Sequence, residues 1–414
     1  MSSSPPASGV VPFEQACEIV RLHCNRIAPG QTEQMSLLQA LGRVLAEPVL
    51  ADRDFPPFPR ATRDGYALRA EDVSSVPAKL RVTGLVKAGG EYHGTVSRGE
   101  AVEIMTGAAV PLGADAVVMV EYTSCDADHV VVQRTCAKGE NIVPVGSESR
   151  AGQEMLPRGS RLGFAQVAVA AAVGKTSIQV YKKPRVAVLS TGDEIVDAAQ
   201  SPGPFQIRNS NSYSLAAQVI AAGGEAEVLP VAPDDEPALH RLIQQGLTAD
   251  MLLLSGGVSM GKFDLVEKVL ASSGAEFFFT GALIQPGRPV VFGQAAPAKG
   301  QSPVPFFGLP GNPVSTMVTF DLFARPVLAA LCGAAPARLP TVKARLKKEI
   351  KTKTGLTRFL PSVLQGSLHH AEVEVVRWQG SGDLMASARA NCYVVVPPDR
   401  DLLPAGELVT VLLR

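Results

Sequence analysis

The chain has 414 residues carrying 39 basic and 39 acidic side chains, so its formal net charge is zero. That balance argues against nucleic acid or an anionic membrane surface as the main partner, since both recruit proteins through excess positive charge. Apolar residues make up 46% and charged ones 19%, which excludes a disordered chain, and the length exceeds what one hydrophobic core supports, so several domains are expected.

The cysteines (Cys17, Cys24, Cys125, Cys136, Cys332 and Cys392) are scattered and form no C-x-x-C pair, the pattern of reduced thiols in a cytoplasmic protein. The stretch "MSSSPPASGVVPF" has no charged segment followed by an apolar run, so no signal peptide is expected. Apolar runs elsewhere are interrupted short of a membrane span.

In chain order, residues 12 to 50 predict two amphipathic helices, "PFEQACEIVRLHC" and "QMSLLQALGRVLA". The proline- and charge-rich stretch from 52 to 72 predicts a long irregular loop of the kind that is usually functional. Between 80 and 180, short β-type runs separated by glycine turns predict an all-β region, which closes with a turn and a small-residue helix. The pattern changes at Lys182. "PRVAVLSTGDEIV", "AEVLPVAPDD" and "ADMLLLSGG" read as strands, and "NSNSYSLAAQVIAAGG", "EPALHRLIQQGL" and "FDLVEKVLASSG" as helices. Strands alternating with helices of this length predict βαβ units on a parallel sheet, ending near residue 335. From there β-type runs return, predicting a small β domain at the C-terminus.

In an open parallel sheet, ligands collect outside the carboxyl ends of the strands. Three loops leave strands at that edge: "STGDEIV" with Thr191, Gly192, Asp193 and Glu194; "SGGVSMGKFD" with Ser255, Gly256, Gly257, Ser259, Lys262 and Asp264; and "LPGNPVST" with Pro310, Gly311, Asn312, Pro313 and Ser315. Glycine lets backbone approach a ligand, and amides at a helix start bind anions. Carboxylates in the same loops suggest a phosphate with bound Mg²⁺, an ion that takes hard oxygen ligands. None of these loops is a Walker A or G-x-G-x-x-G motif.

These segments carry a resemblance. "STGDEI", "SGGVSMGKFD", "PGRP" and "LPGNPVS", in this order, together with "RDGYALRAED", "VEIMTGAAVPLGADAVV" and "QGSGDLMASARANCYVVVP", resemble the molybdopterin molybdenumtransferase family, whose relatives include gephyrin. The likeness spans essentially the whole chain. It implies a multidomain α+β and α/β fold: a helical/β dimerisation region (1–50 and 140–181), an inserted β domain (51–139), a central doubly wound α/β molybdopterin-binding domain (182–335) and a C-terminal β-barrel (336–414). It also implies transfer of molybdenum from molybdate to the dithiolene sulfurs of adenylylated molybdopterin, Mg²⁺-dependent, with release of AMP. A homodimer is implied, and molybdopterin adenylyltransferase and apo-molybdoenzymes are candidate partners.

Position by position, the resemblance implies that Asp64 and Thr106 line the cleft from the other subunit. Glu194, Asp264 and either Asp234 or Asp235 would serve the metal and orient water. Thr191, Gly192, Ser255, Gly256, Gly257, Ser259, Pro310, Gly311, Asn312 and Pro313 would bind the pterin substrate. Molybdate would be held by Pro286, Ser315, Arg358 and Ser381, arginine being suited to an oxyanion because its planar donors reach two oxygens. Lys262 would face either phosphate or solvent.

The chain departs from the family pattern in two places. It has "PRATRDGYA" where many relatives have "DNSAMDGYA". It also has Gln285 where a lysine is common just before the Pro-Gly turn, and Gly281 where another is common four residues earlier, Arg288 keeping one cation in the turn. Two other readings share the features: a molybdopterin adenylyltransferase, and a pterin-binding or scaffold paralogue with weakened catalysis.

Overall fold

The computed structural model describes residues 9–256, 265–296, 302–334, 339–367 and 369–414. Helix Phe13–Cys24 buries Ala16, Val20 and Cys24, one stripe at helical spacing, against helix Arg325–Leu331. The second helix expected before residue 50 is absent. Thr32–Ser36 is instead a strand paired antiparallel with Ser177–Tyr181, and its exposure alternates residue by residue. Short apolar runs of this kind fit either period, and here the partner strand decides.

The stretch expected as an irregular loop also contains a strand. Gly65–Leu68 is fully buried within a six-stranded sheet, between Ala116–Met119 and Glu100–Ile104. A side chain at position 65 has no room, because a Cβ there would lie 1.9 Å from the Val118 carbonyl oxygen. Glycine is therefore required where this strand passes Val118 of its neighbour.

A second six-stranded sheet runs in the order Glu225–Val228, Arg185–Ser190, Met251–Ser255, Val304–Leu309, Val291–Ala295, Glu276–Phe279. The first four strands are parallel, as the βαβ pattern predicts, but the last two pair antiparallel. From Arg185–Ser190 the chain moves first to the Glu225–Val228 side and returns to Met251–Ser255 on the other. Such a reversal leaves an open crevice at the carboxyl ends of the two strands.

Helix Pro313–Leu331 is long and apolar enough to cross a membrane by length and composition, yet 72% of its most apolar 18-residue stretch is buried within the protein. It passes through a π turn at Phe320–Ala324, just before Pro326, whose missing N–H and bulky ring cannot fit a regular turn. The C-terminal strands Thr357–Gly366, Ala371–Val375, Thr341–Leu346, Leu408–Leu413 and Cys392–Val396 close on themselves as a five-stranded barrel. Ile284–Gln285 adds to its edge, parallel to Thr357–Arg358. One core contains Val20 of the first helix, Phe307 of the central sheet and Phe359 of the barrel, so these parts are packed as a unit.

Gly65→Ala should destabilise the chain by about 2 kcal/mol or more, the size expected of core overpacking. Thermal unfolding of the purified variant checks this, and an unchanged transition would contradict the strand's placement.

Candidate active site

The crevice at the sheet's switch point is a cleft of about 1260 Å³, lined by Thr191, Gly192, Glu194, Ser255, Gly256, Pro310, Gly311, Asn312 and Pro313 among others. All three predicted loops meet there. Gly256 has φ +92°, and a Cβ on it would come within 2.6 Å of the Thr191 carbonyl oxygen, so glycine is required on both counts. Gly257, Ser259, Lys262 and Asp264 lie outside the described residues.

Polar side chains missed by sequence reasoning hold these loops. Asn211, at the start of helix Asn211–Ala222, donates from Nδ2 to the Ser255 hydroxyl at 2.8 Å and to the Gly311 carbonyl at 2.7 Å. One amide thus bridges two loops. Behind it, Asn209 accepts from the Ser212 backbone N–H and donates to the Ser212 hydroxyl, both at 3.0 Å, while Ser190 and Ser212 hydroxyls lie 2.8 Å apart. "NSNS" reads as a helix start in sequence; its spacing in fact supplies a buried polar floor. Thr191 Oγ1 and Asn211 Oδ1 are buried without a hydrogen-bond partner among the described residues, so each keeps a bond to offer.

Of the predicted carboxylates, Glu194 and Asp234 line the cleft. Asp235 instead caps helix Glu236–Gly246, its Oδ2 accepting the Ala238 N–H at 2.9 Å, and it is not among the lining residues. Asp193 Oδ1 accepts the Asp234 N–H at 3.1 Å, fixing the turn that presents Asp234. Among the described residues no group of three His, Cys, Asp or Glu side chains is placed to hold a metal. Two hard oxygen donors at one cleft nevertheless fit Mg²⁺, which commonly takes one or two carboxylates and completes its shell with water and phosphate.

Four further predicted residues form a corner beside the cleft. Helix Pro313–Thr319 begins here, with Val314 N–H donating to the Ser381 carbonyl at 3.0 Å. Gly287, next to Pro286, packs so closely on this helix that a Cβ would lie 2.4 Å from Thr319 Cγ2 and 3.7 Å from the Ser315 carbonyl oxygen. Strand pairing places Gln285 beside Arg358. Ser315 is 4% and Arg358 7% exposed. Burial pulls the Arg358 guanidinium below its usual value, as expected of a cation removed from water. Pro289, Gly382 and Leu384 connect this corner to the cleft wall.

Asp64 and Thr106 are brought together but do not line this cleft. The Asp64 carboxylate accepts the Thr106 N–H at 2.6 Å, and both residues are exposed. That backbone bond, with a second from the Thr106 hydroxyl, holds the carboxyl below its ordinary 3.8. Gly281 has a structural cause: it pairs with Val10, and a Cβ would meet Val10 Cγ2 at 2.8 Å, leaving no space for lysine.

A doubly wound domain with a polar switch-point cleft, flanked by an inserted β sheet and a closed barrel, defines a multidomain ligand-processing protein. Residues 11–174 match the MoeA N-terminal region (domain I and II), 187–330 a probable molybdopterin binding domain, and 343–413 the MoeA C-terminal region (domain IV). The chain is 36% identical over 392 residues to a molybdopterin molybdenumtransferase of Nostoc sp., covering 92% of this chain and 88% of that one. With the Bacillus subtilis molybdopterin molybdenumtransferase it shares 31% over 410 residues, 96% of this chain and 93% of the relative. A crystal structure of the molybdopterin biosynthesis MoeA protein from Pyrococcus horikoshii superposes with TM-score 0.78 at 30% identity, covering 98% of this chain and 100% of that one. The chain belongs to the molybdopterin molybdenumtransferase (MoeA) family.

A carboxyl whose value is depressed in the folded state adds stability above its unfolded value and loses it as pH falls through the folded value. The stability difference between wild type and Asp64→Asn should therefore be constant from neutral pH down to about 5 and shrink below it. Melting temperatures across an acid series check this; a pH-independent difference would mean the Thr106 bond does not need the charge.

Proposed function

We propose that the protein is a molybdopterin molybdenumtransferase: it takes adenylylated molybdopterin and molybdate, joins molybdenum to the two dithiolene sulfurs as one oxo ligand leaves as water with the two thiol protons, and releases AMP. The observation that carries this reading is the joining of two unlike sites. A neutral, donor-rich cleft suits a phosphorylated pterin, and the adjoining corner holds a buried arginine without a carboxylate partner among the described residues, which suits a small oxyanion.

In this reading, Asn211 ties the Ser255 and Gly311 loops together at a fixed spacing, and the Gly256 backbone closes over the substrate phosphate. Arg358, with Ser315, Pro286 and Ser381 around it, orients molybdate toward the dithiolene. Glu194 and Asp234 orient the water that attacks the pterin phosphorus of the pyrophosphate; the bond from that phosphorus to the bridging oxygen breaks, AMP departs, and the water's proton passes to solvent or the departing phosphate. Mg²⁺, held by Glu194 and Asp234 with Asp264, would supply a Lewis acid that withdraws charge from the pyrophosphate.

A homodimer fits the surface. Leu38, Leu41 and Phe164 are exposed at 83%, 59% and 88%, and the Gly42–Leu162 backbone bond sets their segments side by side. In the same reading a second copy covers this face, the region 1–50 with 140–181 forming the dimer, and Asp64 and Thr106 of the insert 51–139 serve the neighbour's cleft. The same reading places the protein in the cytoplasm, receiving substrate from molybdopterin adenylyltransferase and serving apo-molybdoenzymes.

The test is AMP release from adenylylated molybdopterin by the purified protein with Mg²⁺, with and without molybdate. Molybdate-dependent release, lost in Asp264→Ala, is expected. Tight pterin binding without release would favour a scaffold paralogue instead, and formation of adenylylated pterin from ATP would favour an adenylyltransferase.

A further inference from the structure

Gln285 departs from the family's common lysine, and the structure gives it a partner. The parallel pairing of Ile284–Gln285 with Thr357–Arg358 puts the two side chains next to each other. Gln285 Oε1 accepts from Arg358 Nε at 2.8 Å, and the Leu356 carbonyl accepts from Nη1 at 3.1 Å. Two neutral oxygens on neighbouring donors fix the plane of the guanidinium and leave Nη2 uncommitted among the described residues. Arg358 is 7% exposed, so its charge is little screened by solvent, and neither acceptor cancels it.

We propose that Gln285 is the positioning residue of the oxyanion corner, a neutral clamp that aims the Arg358 guanidinium at molybdate while preserving its full positive charge. This rests on the molybdenumtransferase reading. The side-chain chemistry at 285 separates two requirements. Glutamate would hold Arg358 at least as firmly but neutralise it, methionine would preserve the charge but release the plane, and lysine would remove the acceptor and set two cations together. Glutamine, a neutral acceptor, meets both needs at once in this chain. The Gln285 side chain is exposed and its Nε2 has no partner among the described residues, so it also offers the anion one uncharged donor. The turn that carries it is seated through Gly287 on the helix bearing Ser315, so the clamp packs directly against the element that carries another oxyanion ligand.

The test compares Gln285→Glu and Gln285→Met with wild type for melting temperature, affinity for adenylylated molybdopterin, and the molybdate concentration that gives half-maximal AMP release. Both variants should raise that concentration, Gln285→Glu by about tenfold or more, as for loss of an interaction with a charged group. The change should fall on half-saturation more than on turnover at saturating molybdate, with pterin affinity unaltered. Gln285→Glu should melt at or above the wild-type temperature, since it gains an ion pair. Stability and anion use thus move in opposite directions. A merely structural role predicts instead that Gln285→Glu, the better clamp, uses molybdate normally, and that result overturns the proposal. Direct titration of wild type with molybdate by calorimetry separates the two failures. Molybdate binding that Gln285→Glu leaves unchanged refutes the clamp alone; a wild type that neither binds molybdate nor releases AMP refutes the reading beneath it.

Discussion

The strand order of the central sheet is the constraint from which the site follows. Because the chain leaves Arg185–Ser190 toward one edge and re-enters at Met251–Ser255 on the other side, the loops after these neighbouring strands diverge. Divergent loops leave backbone exposed and mobile unless something ties them. Here that tie is the Asn211 amide, which reaches the second strand's Ser255 and the third loop's Gly311 at once. A single neutral side chain suffices because both acceptors are oxygens within hydrogen-bond range of one nitrogen. Gly256 completes the arrangement by allowing the loop backbone to pass where a side chain would collide with Thr191.

The second half of the site depends on a joint between domains. Arg358 belongs to the barrel, Gln285 to the chain leaving the central sheet, and Ser315 to the buried helix between them. Their proximity is made by a two-residue parallel ladder, by the close fit of Gly287 on Thr319, and by the bond from Val314 to the Ser381 carbonyl. A buried cation is costly unless its donors are used, and leaving some of them for a ligand is a common way to build an anion receptor. The shared core from Val20 through Phe307 to Phe359 packs across this joint and so brings residues far apart in sequence close together.

Much of this was legible before the fold was known, for reasons that differ by residue. The loops at 191, 255 and 310 announced themselves because glycine and proline interrupt buried apolar runs at strand ends, and strand ends are where such sheets bind. Asn211, Asn209 and Ser212 did not, since the same letters serve as an ordinary helix start and their bridging role depends on strand order. Asp234 and Asp235 were equivalent in sequence; capping geometry separates them. The helix expected over "QMSLLQALGRVLA" and the loop expected at "GYAL" failed alike, because short apolar segments take their conformation from a partner strand remote in the chain. Gln285 was visible only as a departure from a pattern, its reason appearing once Arg358 was seen beside it.

The central claim is that molybdate binds at the joint between the central sheet, the buried helix and the barrel. The most direct test is to locate molybdate by anomalous scattering in crystals of the protein grown with it. The account predicts a peak bounded by Arg358, the 285–288 turn and the first turn of helix Pro313–Thr319. A molybdate bound elsewhere in the cleft, with this corner filled only by water, would contradict it.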